Sequence, residues 1–141
     1  MFRLIYSSKL ATPMTATLLS EIVSVSVNTN QKIGITGILL FAENAFMQVL
    51  EGSEEHVRAT METIDSDSRH SDVRILFSGG ATERAFPDWH MKAAAPTAEQ
   101  IAGIRALGTA QAIFDPIPQP YSPEIDFYIR MFFDNLVSKA A

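Results

Sequence analysis

Two apolar runs lie at the centre of the 141-residue chain, separated only by the stretch AENA. These runs, residues 36–41 and 46–51, predict a β-hairpin. Segments with helical spacing of apolar residues lie on both sides of the hairpin, and strand patterns lie beyond them. The order strand, helix, hairpin, helix, strand, strand is typical of an α+β, ferredoxin-like β-α-β-β-α-β(-β) sheet with both helices on one face.

The first strand and the first helix precede the hairpin. Residues 2–7 are rich in strand-forming residues and end in small polar ones. Thr12 before Pro13 is typical of an N-cap followed by proline in the first helical turn. The apolar stripe that follows at helical spacing consists of Met14, Leu18, Ile22 and Val25. The alternating segment VSVSV also fits a strand, but the cap, the length and the continuing stripe favour a helix.

The second helix and the last strands follow the hairpin. Ser53 can cap the helix, and Glu54 and Glu55 suit the positive end of its dipole. Arg58 and Glu62 are expected to form an exposed i,i+4 pair. The buried stripe of this helix is expected to consist of Val57, Met61 and Ile64. DVRILFSGG then predicts a strand, and FPDWHMKAA predicts a short final strand.

The C-terminal part differs in character from the rest of the chain. APTAEQIAGIRALG fits a short helix, DPIPQPYSPE is a proline-rich connector, and a last helix capped by Ser122 is expected after it. The stripe of this helix consists of Ile125, Ile129, Phe132 and Leu136. So much apolar surface should cover the sheet face left bare by the first two helices, or meet another subunit. The expected division is a sheet domain over 1–95 and a linker with a helix over 96–141.

Composition excludes several classes of function. The chain has no cysteine, which rules out disulfides, thiolate nucleophiles and zinc–thiolate sites. A net charge of −5 argues against nucleic acid or an anionic membrane as the main partner. No membrane span or signal peptide is evident, so a cytoplasmic location is expected. His56, His70 and His90 lack metal-ligand spacing, and no phosphate-binding glycine loop is present, so a binding or sensing module is favoured.

Polar side chains inside the apolar strands are more informative. Gln48 stands in the middle of FMQVLEG, where a core must satisfy the two donors and two acceptors of its amide. Because side chains alternate along a strand, Tyr6, Gln48 and Trp89 meet in one apolar space if all three face the helices. Two structural alternatives stay open at this point. The first is that each of these side chains points to the other face or has a backbone partner. The second is that Asn30 serves only as the C-cap of the first helix.

Five stretches together resemble a known family. LIYSS, NTNQKIGITGILLF, FMQVLEG, DSRH and FPDWHMK resemble, in this order and at these spacings, the BLUF domain, a family of blue-light sensors that hold FAD non-covalently. The resemblance runs from about residue 2 to residue 95, two thirds of the chain. It implies the same fold as the strand and helix patterns, FAD as cofactor, and a sensory function without catalytic turnover.

The resemblance also implies a role for each matching position. Tyr6 matches the photoactive tyrosine, Gln48 the switching glutamine, and Asn30 the asparagine that bonds the polar edge of the flavin. Trp89 and Met91 match two residues that exchange places near the glutamine in this family. The other implied cofactor-binding positions are Ile22 and Ile64, which sandwich the ring, and Asp67, Arg69 and His70, which approach the ribityl and phosphate part.

One position departs from the family pattern. Thr63 stands where some members carry a basic residue towards the phosphates, so Arg69 or solvent would serve instead.

In a site of this family, Gln48 can donate to flavin N5 or O4 while its oxygen accepts from Tyr6. The resemblance also implies that, when light excites the flavin, an electron and a proton pass from the tyrosine to the flavin and back, which leaves the glutamine rotated or tautomerised.

The expected output is a separate protein. About 46 residues follow the last matched strand, too few for a cyclase or phosphodiesterase domain, so the C-terminal segment should pass the signal to an unknown partner. A homodimer or higher homo-oligomer is expected, without nucleic acid or membrane. Two alternatives remain: a small ferredoxin-like enzyme, such as a flavin-dependent oxidoreductase or an acylphosphatase-like hydrolase, and a structural dimerisation module.

Overall fold

A computed structural model describes the backbone of residues 1–94 and 123–140, and the side chains of 1–94 and 123–134. The elements in chain order are β1 (Phe2–Leu10), α1 (Ala16–Ile33), β2 (Thr36–Ala42), β3 (Ala45–Gly52), α2 (Glu54–Asp65), β4 (His70–Gly80), β5 (Lys92–Ala94) and α3 (Pro123–Ala140). The predicted β-α-β-β-α-β order is confirmed. The short helix expected at 95–108, the proline-rich connector, Ser122 and the side chain of Leu136 lie outside the described residues.

One five-stranded sheet organises the fold, with the strand order β4-β1-β3-β2-β5. β1 lies between β3 and β4 and is antiparallel to both, as a ferredoxin-like sheet requires. β2 and β3 form the predicted hairpin, which turns at Glu43 and Asn44. Both turn residues have positive φ, 53° and 61°, and such a two-residue turn matches the twist of the flanking strands. β5 extends the sheet parallel to β2.

α1 begins and ends elsewhere than the sequence predicts. Thr15, not Thr12, is the N-cap, because its side chain accepts a hydrogen bond from the N–H three residues later at 3.0 Å. The helix ends at Gly34, which adopts a left-handed conformation with φ of 72° and donates its N–H to the carbonyl of Asn30. Asn30 therefore lies within the last turn of the helix, and the interpretation of Asn30 as a C-cap is wrong.

The predicted stripe of α1 is correct only in part. Leu18 and Ile22 are half-buried against the sheet, whereas Met14 precedes the helix and Val25 is 65% exposed. Asn30 is the buried residue of this helix. Because the middle of α1 does not close onto the sheet, a cleft remains between α1, α2 and the strands.

α2 follows the prediction except for its ion pair. Ser53 caps the helix by accepting from the N–H of His56 at 3.3 Å. Arg58 pairs with Glu54 at 3.1 Å and not with the expected Glu62. A glutamate placed four residues before its basic partner has the better orientation along a helix, which explains the difference. Of the three residues expected to form its buried stripe, Val57 and Met61 are buried and Ile64 is half-buried.

The two faces of the sheet are covered by different helices. The helix face, which α1 and α2 cover, carries Leu4, Tyr6, Phe46, Gln48 and Leu50. The opposite face, here called the α3 face, carries Ile5, Ile38, Leu40, Met47 and Val49. The α3 side chains buried against it are Ile125, Ile129, Phe132 and Phe133. Of the two locations expected for the last helix, the bare sheet face is the one it occupies. Across residues 1–94 and 123–140, no helix is both long and apolar enough to span a membrane.

The last strand is shorter than predicted. β5 covers only Lys92–Ala94, and Trp89 and Met91 lie before it, in the segment 81–91, here called the crossover loop. The N–H of Trp89 donates to the carbonyl of Phe86 at 3.2 Å, closing a turn that takes this N–H out of any strand ladder. The carbonyl of Trp89 accepts from Gly37 at 2.9 Å, which ties the loop to the first residues of β2.

Candidate functional site

Tyr6 and Gln48 form a hydrogen-bonded pair on the helix face. They are directly opposite each other in the β1–β3 register, because alternation along both strands places them on the same side of the sheet. The Tyr6 hydroxyl donates to Oε1 of Gln48. The two residues are 1% and 5% exposed. The pair predicted from the sequence to share one apolar space therefore does so and is in direct contact.

The other end of the Gln48 amide contacts Met91. Nε2 donates to the Met91 sulfur at 3.3 Å. A thioether is a weak acceptor, and the amide nitrogen carries two N–H groups. Gln48 is thus held firmly at its oxygen and loosely at its nitrogen, and it lines the cleft. The thioether therefore opposes an exchange of the donor and acceptor ends of the amide less than a stronger acceptor would.

The cleft lies between α1, α2 and the helix face. Its aliphatic lining includes Ile22 of α1 and Ile64 of α2, and its polar lining includes Tyr6, Asn30 and Gln48. Side chains that the sequence analysis did not single out also line it: Ser26, Thr29, Leu39, Phe46 and Thr60. Aliphatic groups from two helices, with one amide in the last turn of α1 and another on β3, suit a flat ligand that has apolar faces and one polar edge.

Asn30 links α1 to the crossover loop. Its Nδ2 donates to the carbonyl of His90 at 2.6 Å, and the residue is 3% exposed. The ring of His90 is in turn 3.1 Å from the carbonyl of Ile35 through Nδ1. Since His90 is adjacent to Met91, the amides of Asn30 and Gln48 hold neighbouring residues of the same loop.

A charged group stands at one end of the cleft. The Asp67 carboxylate accepts from the Arg69 guanidinium at 2.6 Å and from the Arg69 N–H at 2.9 Å. The hydrogen bond from Arg69 holds the pKa of Asp67 below its usual range, and the same bond raises the pKa of Arg69. Thr63 also lines the cleft, but among the described lining residues the permanent cation is Arg69. Nε and Nη2 of this guanidinium already donate to the Asp67 carboxylate.

His70 lies at the start of β4, two residues before the strand predicted from DVRILFSGG. Its Nδ1 is 2.8 Å from the Ser8 hydroxyl, and its ring lies 5.2 Å from that of Phe46. Burial lowers the pKa of His70, and the negative charge of Asp67 opposes this effect. The alternation that places Tyr6 on the helix face also places Ser8 there, so this partner was detectable from the sequence.

Acid is expected to destabilise the protein through His70. Because its pKa is lower in the folded chain than its ordinary value of 6.5, the unfolded chain takes up the proton first. The free energy of unfolding that neutral His70 contributes is fully present above pH 6.5. It is lost as the pH falls from 6.5 through the lower pKa of the folded chain. Urea unfolding at a series of pH values should show this slope, and His70→Gln should remove it. His56→Gln, on the surface of α2, should keep it; an unchanged slope in His70→Gln would contradict the assignment.

Tyr6 keeps its proton under ordinary conditions. Burial raises its pKa well above the usual value of a phenol, and the negative charge of Asp67 adds to this. At neutral pH the hydroxyl is consequently an uncharged donor to Gln48. Among residues 1–94 and 123–134, no three histidine, aspartate or glutamate side chains are grouped as a metal site would require.

Trp89 does not lie next to Gln48. The Trp89 ring stacks on that of Phe86 with 5.6 Å between the centroids, and the Lys92 ammonium lies 4.3 Å from the centroid of the Trp89 ring. Trp89 packs against the buried side chains of the α3 face. In a final strand formed by FPDWHMKAA, Trp89 and Met91 would share a face, and in the structure they do not. The two residues lie in the crossover loop, where strand alternation does not apply, and Met91 alone of the two reaches the helix face.

Comparisons with known proteins agree on one family. The family model described as "BLUF: Sensors of blue-light using FAD" matches residues 1–92. Photoactivated adenylate cyclase subunit beta of Euglena gracilis is 36% identical over 92 residues, which cover 64% of this chain and 11% of the relative. The chain thus spans about a tenth of the length of such curated relatives.

Solved structures give the same result. The structure "BlsA ground state" is 27% identical with a TM-score of 0.72, and the match covers 94% of this chain and 87% of that one. The structure "BlrB - a BLUF protein, dark state structure" is 29% identical with a TM-score of 0.66, covering 75% and 76%. Both of these structures are close in length to the present chain.

Proposed function

The chain belongs to the BLUF family, sensors of blue light that use FAD, and we propose that its Tyr6–Gln48 pair is the switch of a photoreceptor that signals to a separate protein. FAD is the cofactor of this family, as the sequence analysis predicted. One observation carries the proposal. A buried phenol donates to the oxygen of a buried amide whose nitrogen faces a weak thioether acceptor, all beside an apolar cleft.

The lining of the cleft fits the flavin part of FAD. Ile22 and Ile64 would lie against the two faces of the ring, and the amides of Asn30 and Gln48 would meet its polar edge. When bound, FAD supplies the absorption of blue light and an acceptor for one electron. Arg69 would serve the phosphates with His70 near the ribityl chain, since Thr63 offers no charge there.

Tyr6 is suited to give up a proton and an electron together. A phenol can lose both, and this one is neutral, buried and directed at Oε1 of Gln48. A proton passed from Tyr6 to Oε1, while Nε2 passes one to the electron acceptor held in the cleft, would leave the glutamine as its imidic tautomer once Tyr6 has regained its own proton and electron from that acceptor. Rotation of the amide would achieve the same exchange of ends. Either change redirects the bond that Nε2 makes to Met91. One or two altered hydrogen bonds, each worth about 0.5–1.5 kcal/mol net, bias a two-state element by up to about a hundredfold.

The crossover loop is the proposed route of the signal. Three consecutive residues of this loop are hydrogen-bonded: Met91 to Gln48, His90 to Asn30, and the carbonyl of Trp89 to the N–H of Gly37. A rotated or tautomerised Gln48 would therefore change a contact at the C-terminal end of the loop. β5 and the linker towards α3 follow directly. From this linker the change would be passed to a partner protein, a proposal supported by the direct connection of the crossover loop to β5. The homo-oligomer and the cytoplasmic location stay predictions.

Reconstitution with FAD tests the proposal. The purified chain should bind FAD, release it intact on heat denaturation, and show a small, reversible red shift of the flavin absorption under blue light. Ile64→Asp, inside the cleft, should weaken FAD binding by about tenfold or more, equivalent to at least about 1.4 kcal/mol. Ile75→Asp is the matched control, because Ile75 is 57% exposed and does not line this cleft. Turnover of a substrate by a flavin-loaded protein that shows no light response would favour the enzyme alternative.

A further inference from the structure

A buried carboxylate on the opposite face of the sheet also holds the crossover loop. Glu51 is fully buried and lies three residues after Gln48 on β3. Its Oε2 accepts from Arg3 through Nη2 at 2.8 Å and from the N–H of Ala85 at 2.9 Å. Its Oε1 accepts from the N–H of Phe86 at 3.0 Å. A single side chain thus fixes two consecutive backbone amides at the start of the loop.

Two arginines complete this anchor. Nη2 of Arg3 donates to the carbonyl of Glu83 at 3.0 Å as well as to Glu51. Arg84 donates to the carbonyl of Glu51 at 3.0 Å and to that of Gly34 at 2.8 Å. Residues 83–86 are therefore held from β1, from β3 and from the C-terminal end of α1. The apolar run 46–51 predicts Glu51 only as the end of a strand, although a glutamate after such a run is a detectable signal.

The far end of the loop is held by the proposed photoactive residues. Gln48 contacts Met91 from the helix face, while Glu51 contacts Ala85 and Phe86 from the α3 face. One strand, β3, accordingly holds both ends of the same loop, on its two faces. Between these ends the ring of Phe86 stacks on that of Trp89, with an interplanar angle of 15°.

We propose that Glu51 is a positioning residue that sets the register of the crossover loop. Its hold on Phe86 fixes the stacked Trp89 on the α3 face, and this leaves Met91, two residues later, on the helix face against Gln48. The inference rests on the proposed function only in its last step, which is that this register determines how Gln48 responds to light. A shift of the loop would exchange the residues that Gln48 can contact.

A merely structural ion pair predicts a different outcome from a positioning residue. Removing one partner of a buried pair leaves an uncompensated charge and weakens the whole fold. All protected amides would then exchange faster together. A positioning residue instead loosens the loop selectively, so amides of the loop gain exchange relative to those of the central strands.

Hydrogen exchange of the FAD-loaded full chain in the dark distinguishes these outcomes. The reporter is the N–H of Gly37, which donates to the carbonyl of Trp89, and the reference is the amides shared by β1 and β3. Glu51→Gln should raise Gly37 exchange by about fivefold relative to the reference, the equivalent of one net hydrogen bond. Arg3→Met combined with Glu51→Gln removes both charges, so this variant keeps the test valid if the single variant fails to fold. Arg74→Met is the control, because it breaks only an exposed pair with Asp72.

The same variants are then illuminated. In the Glu51 variants the lit state should return to the dark state at a rate changed by about threefold or more, whereas Arg74→Met should recover as the natural chain does. Equal exchange increases at Gly37 and in the central strands, or an unchanged ratio with unchanged recovery, would overturn the inference. Absence of any light response in the natural chain would instead refute the proposed function, and the exchange ratio would still decide the role of Glu51.

Discussion

Replacing Tyr6 by phenylalanine is expected to abolish the red shift of the flavin absorption under blue light while the protein still folds and binds FAD. The ring keeps its packing in a site that is 1% exposed, and only the hydroxyl that donates to Gln48 is lost. Leaving the Gln48 oxygen without this donor costs about 1–3 kcal/mol, which an otherwise sound core tolerates. Absorption spectra before and after illumination, with a thermal unfolding curve, measure both effects.

The chain offers a matched control for this variant. Tyr128→Phe makes the same chemical change on α3, where the ring of Tyr128 packs 6.2 Å from that of Phe77 on the α3 face. Its red shift should equal that of the natural chain. A normal red shift in Tyr6→Phe would show that the proton and electron come from another group, and the proposed switch would then be wrong.

Truncating Phe133 to alanine is expected to destabilise the fold by about 3–5 kcal/mol, the usual cost of removing a buried phenylalanine ring. Phe133 is 1% exposed in the cluster that joins α3 to the α3 face of the sheet. Its loss leaves a cavity between α3 and the strands that Ile129 and Phe132 cannot fill without leaving their own contacts. Chemical unfolding of the FAD-free protein measures the change directly.

Phe127→Ala is the control on the same helix. Phe127 is 53% exposed and contacts the ring of Tyr128, so its truncation should cost less than about 1.5 kcal/mol. Equal losses in the two variants would mean that α3 does not dock on the sheet as described. The docked position would then no longer explain where the apolar stripe of the helix is buried.

The order of elements was predictable because the periodicity of apolar residues reports directly on burial. The hairpin around AENA and the cap at Ser53 were placed correctly for this reason. The start of α1 was not, since Thr12 and Thr15 are both competent N-caps and only the folded chain shows which N–H groups lack a partner. The burial of α3 was open between two partners until the apolar α3 face of the sheet was seen.

The site was predictable where strand alternation holds and not beyond it. Tyr6 and Gln48 follow from the pleat of β1 and β3, and their pairing is the register of those strands. Trp89 and Met91 lie in a loop whose path depends on bonds from distant residues, among them Glu51 and Gly37. Such long-range hydrogen bonds leave no local pattern in a sequence, so the separation of Trp89 from Met91 needed the structure.

The response of Gln48 to light tests the central claim most directly. Infrared difference spectra, light minus dark, should be recorded on the FAD-loaded chain with glutamine labelled at its side-chain carbonyl carbon. The proposed switch predicts a label-sensitive band in the natural chain, and its absence in both Tyr6→Phe and Gln48→Glu. A flavin absorption that shifts red under blue light without any label-sensitive band would contradict the account, because the shift would then arise with Gln48 unchanged.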